Sequence, residues 1–200
     1  CQLDSIYLFH LSNYNKLLLQ RNRLLKDYGF YPEAGTMLDV IDEQLIQYGT
    51  ALIRSRRVFT DQLQEIIGGI HSSLSGRKED LTVTYEPNTE ETEFGQKLQE
   101  NREKDLRMKQ TMTGPHRDDL GFAVHGVDLR KYGSQGQQRT TALSLKLAEI
   151  EIVKQSVKDT PVLLLDDVLS ELDGSRQRYL LENIHDIQTM ITCTGVDDFV

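Results

Sequence analysis

Residues 162–167 read Val-Leu-Leu-Leu-Asp-Asp, an apolar run that ends in two adjacent acids. Such a run suits a buried strand, and it puts both carboxylates at the strand's C-terminal edge, where α/β folds bind ligands. Two like charges held side by side need a proton or a cation to relieve them. Mg²⁺ fits that edge, because it takes one or two carboxylates and fills its shell with phosphate oxygens and water. A structural strand followed by a turn-forming Asp pair accounts for the same residues, and the pair alone leaves both readings open. Ser170-Glu171-Leu172-Asp173 follows directly. Upstream, Gly133-Ser134-Gln135-Gly136-Gln137-Gln138-Arg139 opens a helix. A helix start rich in Ser and Gly offers free N–H groups, a hydroxyl and the positive end of the helix dipole, which together can grip a phosphate. A Gly-rich linker with a capping Ser is the competing explanation.

The elements that must hold these residues are legible from periodicity. Apolar residues at three- and four-residue steps predict a helix over 3–26, carried by Ile6, Tyr7, Leu11, Tyr14, Leu17, Leu18, Leu24 and Leu25. Gly29, Pro32 and Gly35 mark a turn, and a second helical run follows from Leu38 to Ile70. Gly68-Gly69 reads as a stop for that helix rather than a phosphate loop, since no Lys-Ser/Thr follows it. Together these runs predict an antiparallel helical hairpin projecting from a larger body. Alternation predicts a strand over 81–85, then a highly charged helix over 90–112 with a narrow seam of Phe94, Leu98 and Leu106.

After Thr113 the character changes. Strands are expected over 119–125 and 127–130, a helix carrying Leu143, Leu145, Leu147, Ile150, Ile152 and Val153, and a strand over 162–165 buried on both faces. A helix near 176–184 and a strand over 189–192 complete an α/β alternation. The expected division is a helical arm over 1–112 and an α/β part over 113–200.

Composition bounds the function. Charged residues make up 27% and hydrophobic residues 38%, an ordinary balance for a globular chain. No apolar run approaches the ~20 residues of a membrane span. Cys1 and Cys193 make neither a metal spacing nor a disulfide framework, so a cytoplasmic setting is expected. The net charge is −8, and residues 161–200 hold two Arg against eight Asp and Glu. That surface repels phosphate backbones, which argues against a stand-alone DNA-binding module.

In order and spacing the three chemical segments resemble the second half of an ATP-binding-cassette ATPase head. Gly133 to Gln137 resembles the signature motif, Asp166-Asp167 the end of Walker B, and Ser170 to Asp173 the D-loop. Thr113-Gly114-Pro115-His116-Arg117-Asp118-Asp119, the block from Leu163 to Asp173, and Gln20-Arg21-Asn22 with Leu24-Leu25-Lys26 are similar to the RecF family of recombination mediators. The resemblance implies an α/β fold: the C-terminal part of the head lobe with an inserted α-helical arm. It implies that Asp166 holds Mg²⁺ and that Asp167 orients or deprotonates the attacking water. Transporter-type cassettes usually carry Glu there, and Asp has roughly 1.5 Å less reach, so slow ATP hydrolysis is implied. Ser134 and Gly136, with Gln135 and Gln137, would meet the ATP held by a second subunit, and Asp173 would couple the two sites. Thr192 and Thr194 lie where the switch residue belongs, although the cassette His is absent. His116 and Arg117 face nucleotide or DNA, or form a buried structural pair. The implied partners are duplex DNA near single-strand gaps, RecR and RecO, and a second copy in an ATP-dependent homodimer.

The chain contains no G-x-x-x-x-G-K-[ST] phosphate loop. These 200 residues by themselves are therefore expected to bind no ATP in their own site. Two rivals stand beside the ATPase. One is a non-catalytic module that binds DNA or a partner through Lys16, Arg21, Arg23, Lys26, Arg54, Arg56 and Arg57. The other is a head fragment of the SMC type, which the lack of sustained heptads disfavours.

Overall fold

Asp4 starts the first helix by accepting hydrogen bonds from the N–H groups of Ile6 and Tyr7, each at 2.9 Å, an N-cap that satisfies two of the orphan donors. The computed structural model describes residues 4–157, 162–168, 172–184 and 186–192. The elements are α1 (Ser5–Lys26), α2 (Ala34–Leu74), β1 (Leu81–Glu86), α3 (Phe94–Glu100), α4 (Arg102–Met108), β2 (Asp119–Val124), β3 (Val127–Asp128), α5 (Leu129–Tyr132), α6 (Gln135–Val157), β4 (Leu163–Asp166), α7 (Gly174–Asn183) and β5 (Thr189–Thr192). Two compact units divide the chain at 60/61, 84/85 and 120/121, so α2, β1 and β2 each contribute to both. The arm and head drawn from the sequence, 1–112 and 113–200, are a division by element type along the chain.

The first unit is built on α1 and the first part of α2. Tyr14, Leu17, Leu45, Leu52, Ile53, Phe94 and Leu98 form its main cluster, and Leu24, Leu25, Ala34 and Leu38 a second. Gly49 lets the aromatic ring in: a Cβ there would sit 2.4 Å from Phe94 Cε1. Arg21, wholly buried, crosses this core. Its Nε donates to Asp42 at 2.6 Å, and its Nη1 to Asp105 at 2.7 Å and Thr111 Oγ1 at 2.9 Å.

The second unit has two apolar clusters. Leu63 and Ile67 of α2, Leu81, Val83, Val124, Leu129, Ala148 and Ile152 form one. Leu74, Leu143, Leu147, Ile150, Leu165, Leu172, Leu180, Ile184 and Ile187 form the other. Helix α6 serves both, which explains why apolar residues ring it rather than forming one stripe. The sheet order is β1-β2-β3, and β4 pairs with β5 in parallel, Leu163 against Thr189 through Asp166 against Thr192.

Four expectations are corrected. Gly68-Gly69 does not stop the second helix, which runs on to Leu74; Ile67, Ile70, His71 and Leu74 still have a core to face, and packing outweighs about 1 kcal/mol of propensity per Gly. The helix expected over 90–112 is two short helices, α3 and α4, meeting at Asn101, whose φ of −85° and ψ of 1° leave the helical region. Only Val127 and Asp128 form the strand expected over 127–130, because Asp128 caps α5 by accepting from the Arg130 N–H at 2.8 Å. Among the described residues strand β4 is covered on one face: Leu165 is buried, while Leu164 and its β5 neighbour Met190 are exposed by 69% and 65%.

Candidate functional site

The start of α6 is braced by its own sequence. Ser134 is the residue before the first turn, and Gln137 stands three places on. The Ser134 N–H donates to Gln137 Oε1 at 3.0 Å, and the Gln137 N–H donates to Ser134 Oγ at 3.2 Å. This reciprocal capping box satisfies two orphan donors at once. Gly133 has a steric reason, since a Cβ would lie 2.5 Å from the Leu129 carbonyl oxygen. Among the described residues Gly136 has none: its Cβ would meet Ser134 Oγ alone, at 4.0 Å. Ser134, Gln135 and Gly136 are exposed. A hydroxyl fixed at a helix N-terminus beside open space can donate to an anionic oxygen brought from outside.

A second constellation sits at the end of β4. Thr192 Oγ1 donates to Asp166 Oδ1 at 2.5 Å, while the Asp167 N–H reaches Thr192 O at 3.1 Å and Oγ1 at 3.0 Å. Residue pairing of Asp166 with Thr192 across the parallel ladder brings these groups together. Asp167 adopts a left-handed φ of 51°, a conformation that short polar side chains tolerate best. Both acids are exposed at the strand's C-terminal edge. One carboxylate oriented by a Thr hydroxyl, with a second beside it, fits a Mg²⁺ that draws its other ligands from phosphate and water. Among the described residues no cluster of three His, Cys, Asp or Glu forms a self-sufficient metal cage.

Asp173 is the N-cap of α7. Its Oδ1 accepts from Ser175 Oγ at 2.6 Å and from the N–H groups of Ser175 and Arg176 at 3.1 Å each. The Ser175 hydroxyl, with the Arg176 N–H behind it, holds the carboxyl below the usual carboxylate range. Ser170, Glu171 and Thr194 lie outside the described residues.

His116 serves structure. Its Nε2 is 3.0 Å from the Thr111 carbonyl oxygen and must donate to it, which leaves Nδ1 to accept from Tyr14 Oη at 2.7 Å. Burial lowers its pKa and keeps it neutral. Arg117 is exposed. Of the bases offered to DNA, Arg21 is withdrawn into the first unit's core, a correction with a plain cause: two buried carboxylates claim it. Arg54 and Arg57 pair with Glu91 and Glu90, and Arg56 with Asp118 at 2.9 Å. Lys16, Arg23 and Lys26 remain exposed.

Two residues of consequence carry no sequence signal. Glu79 accepts from Gln137 Nε2 at 3.0 Å, and wholly buried His71 lies with Nε2 3.1 Å from the other Glu79 oxygen. Both belong to the α2–β1 region, far along the chain from Gln137. Only a local motif linking them would have betrayed them, and none exists.

No family model matches the chain. Curated relatives do. It is 58% identical over 200 residues to the DNA replication and repair protein RecF of Agathobacter rectalis, and 56% identical over 200 residues to that of Lachnoclostridium phytofermentans. Both matches cover 100% of this chain, and they cover 55% and 56% of the relatives. The chain thus spans about half the length of the curated relatives it matches. A solved structure of the recombination mediator protein RecF-ATP in the RecFOR pathway superposes with a TM-score of 0.88 at 36% identity, covering 99% of this chain and 55% of that one. A solved structure of the recombination mediator protein RecF-ATPrS in the RecFOR pathway gives 0.87 at 36% identity, over 98% of this chain and 55% of that one.

Proposed function

The chain belongs to the RecF family, and from that premise we propose that it supplies the signature and acid-strand part of a DNA-repair ATPase head. The observation that carries the reading is the acid pair at the end of β4, exposed and oriented by Thr192. In this reading Asp166 holds Mg²⁺, and Asp167 orients the water that attacks the terminal phosphate. With ATP and Mg²⁺ in place, the metal would supply charge neutralisation to the phosphates. The chain's own contribution is positional. Thr192 fixes the Asp166 carboxylate, and the Asp167 backbone is tied to the same threonine. Ser134, Gln135, Gly136 and Gln137 approach ATP on a second copy of the protein, Asp173 couples the two sites, and Thr194 lies at the switch position.

Hydrolysis is slow, because Asp167 is a shorter base than Glu. The phosphate loop must come from residues other than these 200. The whole protein joins its heads on duplex DNA near single-strand gaps, works with RecR and RecO, and acts in the cytoplasm. The exposed Lys16, Arg23 and Lys26 are weak support for DNA contact by the arm, since the other bases are internally paired. No described helix is long and apolar enough to cross a membrane.

The test is ATP turnover by the full-length protein with and without gapped duplex DNA. Asp166→Ala and Ser134→Arg are each expected to abolish DNA-stimulated turnover. Normal turnover in both variants would sink the assignment.

A further inference from the structure

The side-chain amide of Gln137 has two ends of opposite character, an acceptor oxygen and a donor NH₂. The capping box works only with the oxygen facing the Ser134 N–H; turned by 180°, the amide would set NH₂ against N–H. The Ser134 N–H, itself a donor, selects the oxygen on one side, and Glu79 selects the NH₂ on the other. Ionised, it accepts hydrogen bonds and donates none, so only the NH₂ of Gln137 can face it, at 3.0 Å. The oxygen is thereby turned to Ser134, at 3.0 Å.

Glu79 is itself held from behind. His71 is wholly buried in the last turn of α2, and its Nε2 stands 3.1 Å from the second Glu79 oxygen. Facing a carboxylate, that nitrogen must carry the proton. The other ring nitrogen lies 2.9 Å from Ser144 Oγ, which is in turn 2.7 Å from the Thr140 carbonyl oxygen on α6. Glu79 is thus clamped between a donor from α2 and a donor from α6, all within one compact unit.

We propose that Glu79 is a positioning residue for the Ser134 hydroxyl: it sets the Gln137 amide, which sets the cap and with it the hydroxyl offered to an incoming phosphate oxygen. This rests on the reading that Ser134 meets a nucleotide phosphate. His71 acts one step further back, by holding the carboxylate that orients Gln137. Neither residue touches the phosphate.

Exchange of charge between the two positions isolates this role. Gln137→Glu alone sets two carboxylates against each other. In the double variant Glu79→Gln/Gln137→Glu, the new Gln donates to the new carboxylate and accepts from His71, and the carboxylate still accepts from the Ser134 N–H. In the full-length protein, Glu79→Ala and Gln137→Glu are each expected to lower kcat for ATP roughly tenfold, the scale of one or two lost charge-assisted hydrogen bonds. KM for ATP stays within about twofold, because the nucleotide-holding loop is elsewhere, and the exchange variant recovers kcat to within about threefold of wild type. Wild-type kcat in Glu79→Ala with an inactive Ser134→Arg overturns the positioning role alone. A loss in Glu79→Ala that the exchange fails to restore, accompanied by a lowered Tm, also overturns it and leaves a structural residue. Normal turnover in Ser134→Arg instead sinks the phosphate reading on which the proposal rests.

Discussion

The first unit spends one set of ionisable groups inside its core; the second displays another set at its surface. Arg21, Asp42 and Asp105 close on one another in a core where Arg21 and Asp105 are wholly buried. Ser134, Asp166 and Asp167 have equally well-defined local partners yet keep one side open. The same residue types therefore do opposite work. A buried ion pair is out of a ligand's reach, and breaking it strands a charge. An exposed group braced by one or two hydrogen bonds keeps its geometry and retains the capacity to bind. Partner satisfaction together with exposure, rather than residue type, separates the scaffold from the candidate site.

Substitutions probe that contrast from both sides. Arg21→Ala strips buried Asp105 of its cation and leaves Asp42 to Arg102 alone, and is expected to cost about 3–5 kcal/mol, read as a lower urea midpoint. If stability barely moves, the network is not what holds the first unit. Gly49→Ala forces a methyl into the ring of Phe94 and is expected to cost about 1–3 kcal/mol; calorimetry would report it as a drop in Tm. Ser134→Ala removes the cap oxygen of α6 at about 1 kcal/mol, with faster amide exchange at residues 136–138 as the local sign.

Acidification tests both units together, since each contains a histidine withdrawn from solvent, His71 wholly and His116 in part. Burial lowers the pKa of His71 and of His116 below the ordinary 6.5. Below that value the unfolded chain binds more protons than the folded one, so stability is full above about pH 6.5 and falls as the pH drops. Denaturant midpoints measured from pH 7.5 to 5.5 should decline, and His116→Gln should flatten part of the slope. A midpoint independent of pH would mean that neither imidazole is held neutral. The smallest effect belongs to the displayed side. Asp166→Asn keeps an acceptor for Thr192 and is expected to change stability by no more than about 0.5 kcal/mol, while turnover of the full-length protein is lost. A large destabilisation would move Asp166 into the scaffold class.

Much of this was legible before any fold. Periodicity placed α1 and most of α2 close to their observed bounds, because each buries a stripe at helical spacing. The Ser134–Gln137 capping box and the acid pair are local in sequence, so their chemistry could be read from neighbours three or fewer residues apart. The continuation of α2 past Gly68-Gly69 was not legible, because the core that rewards it comes from residues later in the chain. Nor was the break at Asn101, where a charged segment reads as one helix until packing divides it.

The amino-acid order by itself determined which groups can do chemistry here and which helix start and strand end present them. Tertiary structure alone decided which charges are spent inside, as with Arg21, and which distant residues brace the site. Thr192 reaches Asp166 only through the pairing of β4 with β5, and Glu79 reaches Gln137 only because α2, β1 and α6 pack around one core. Local spacing specifies a cap or a strand edge, whereas a contact across 58 or 26 positions exists only once loop closure has been offset by burial.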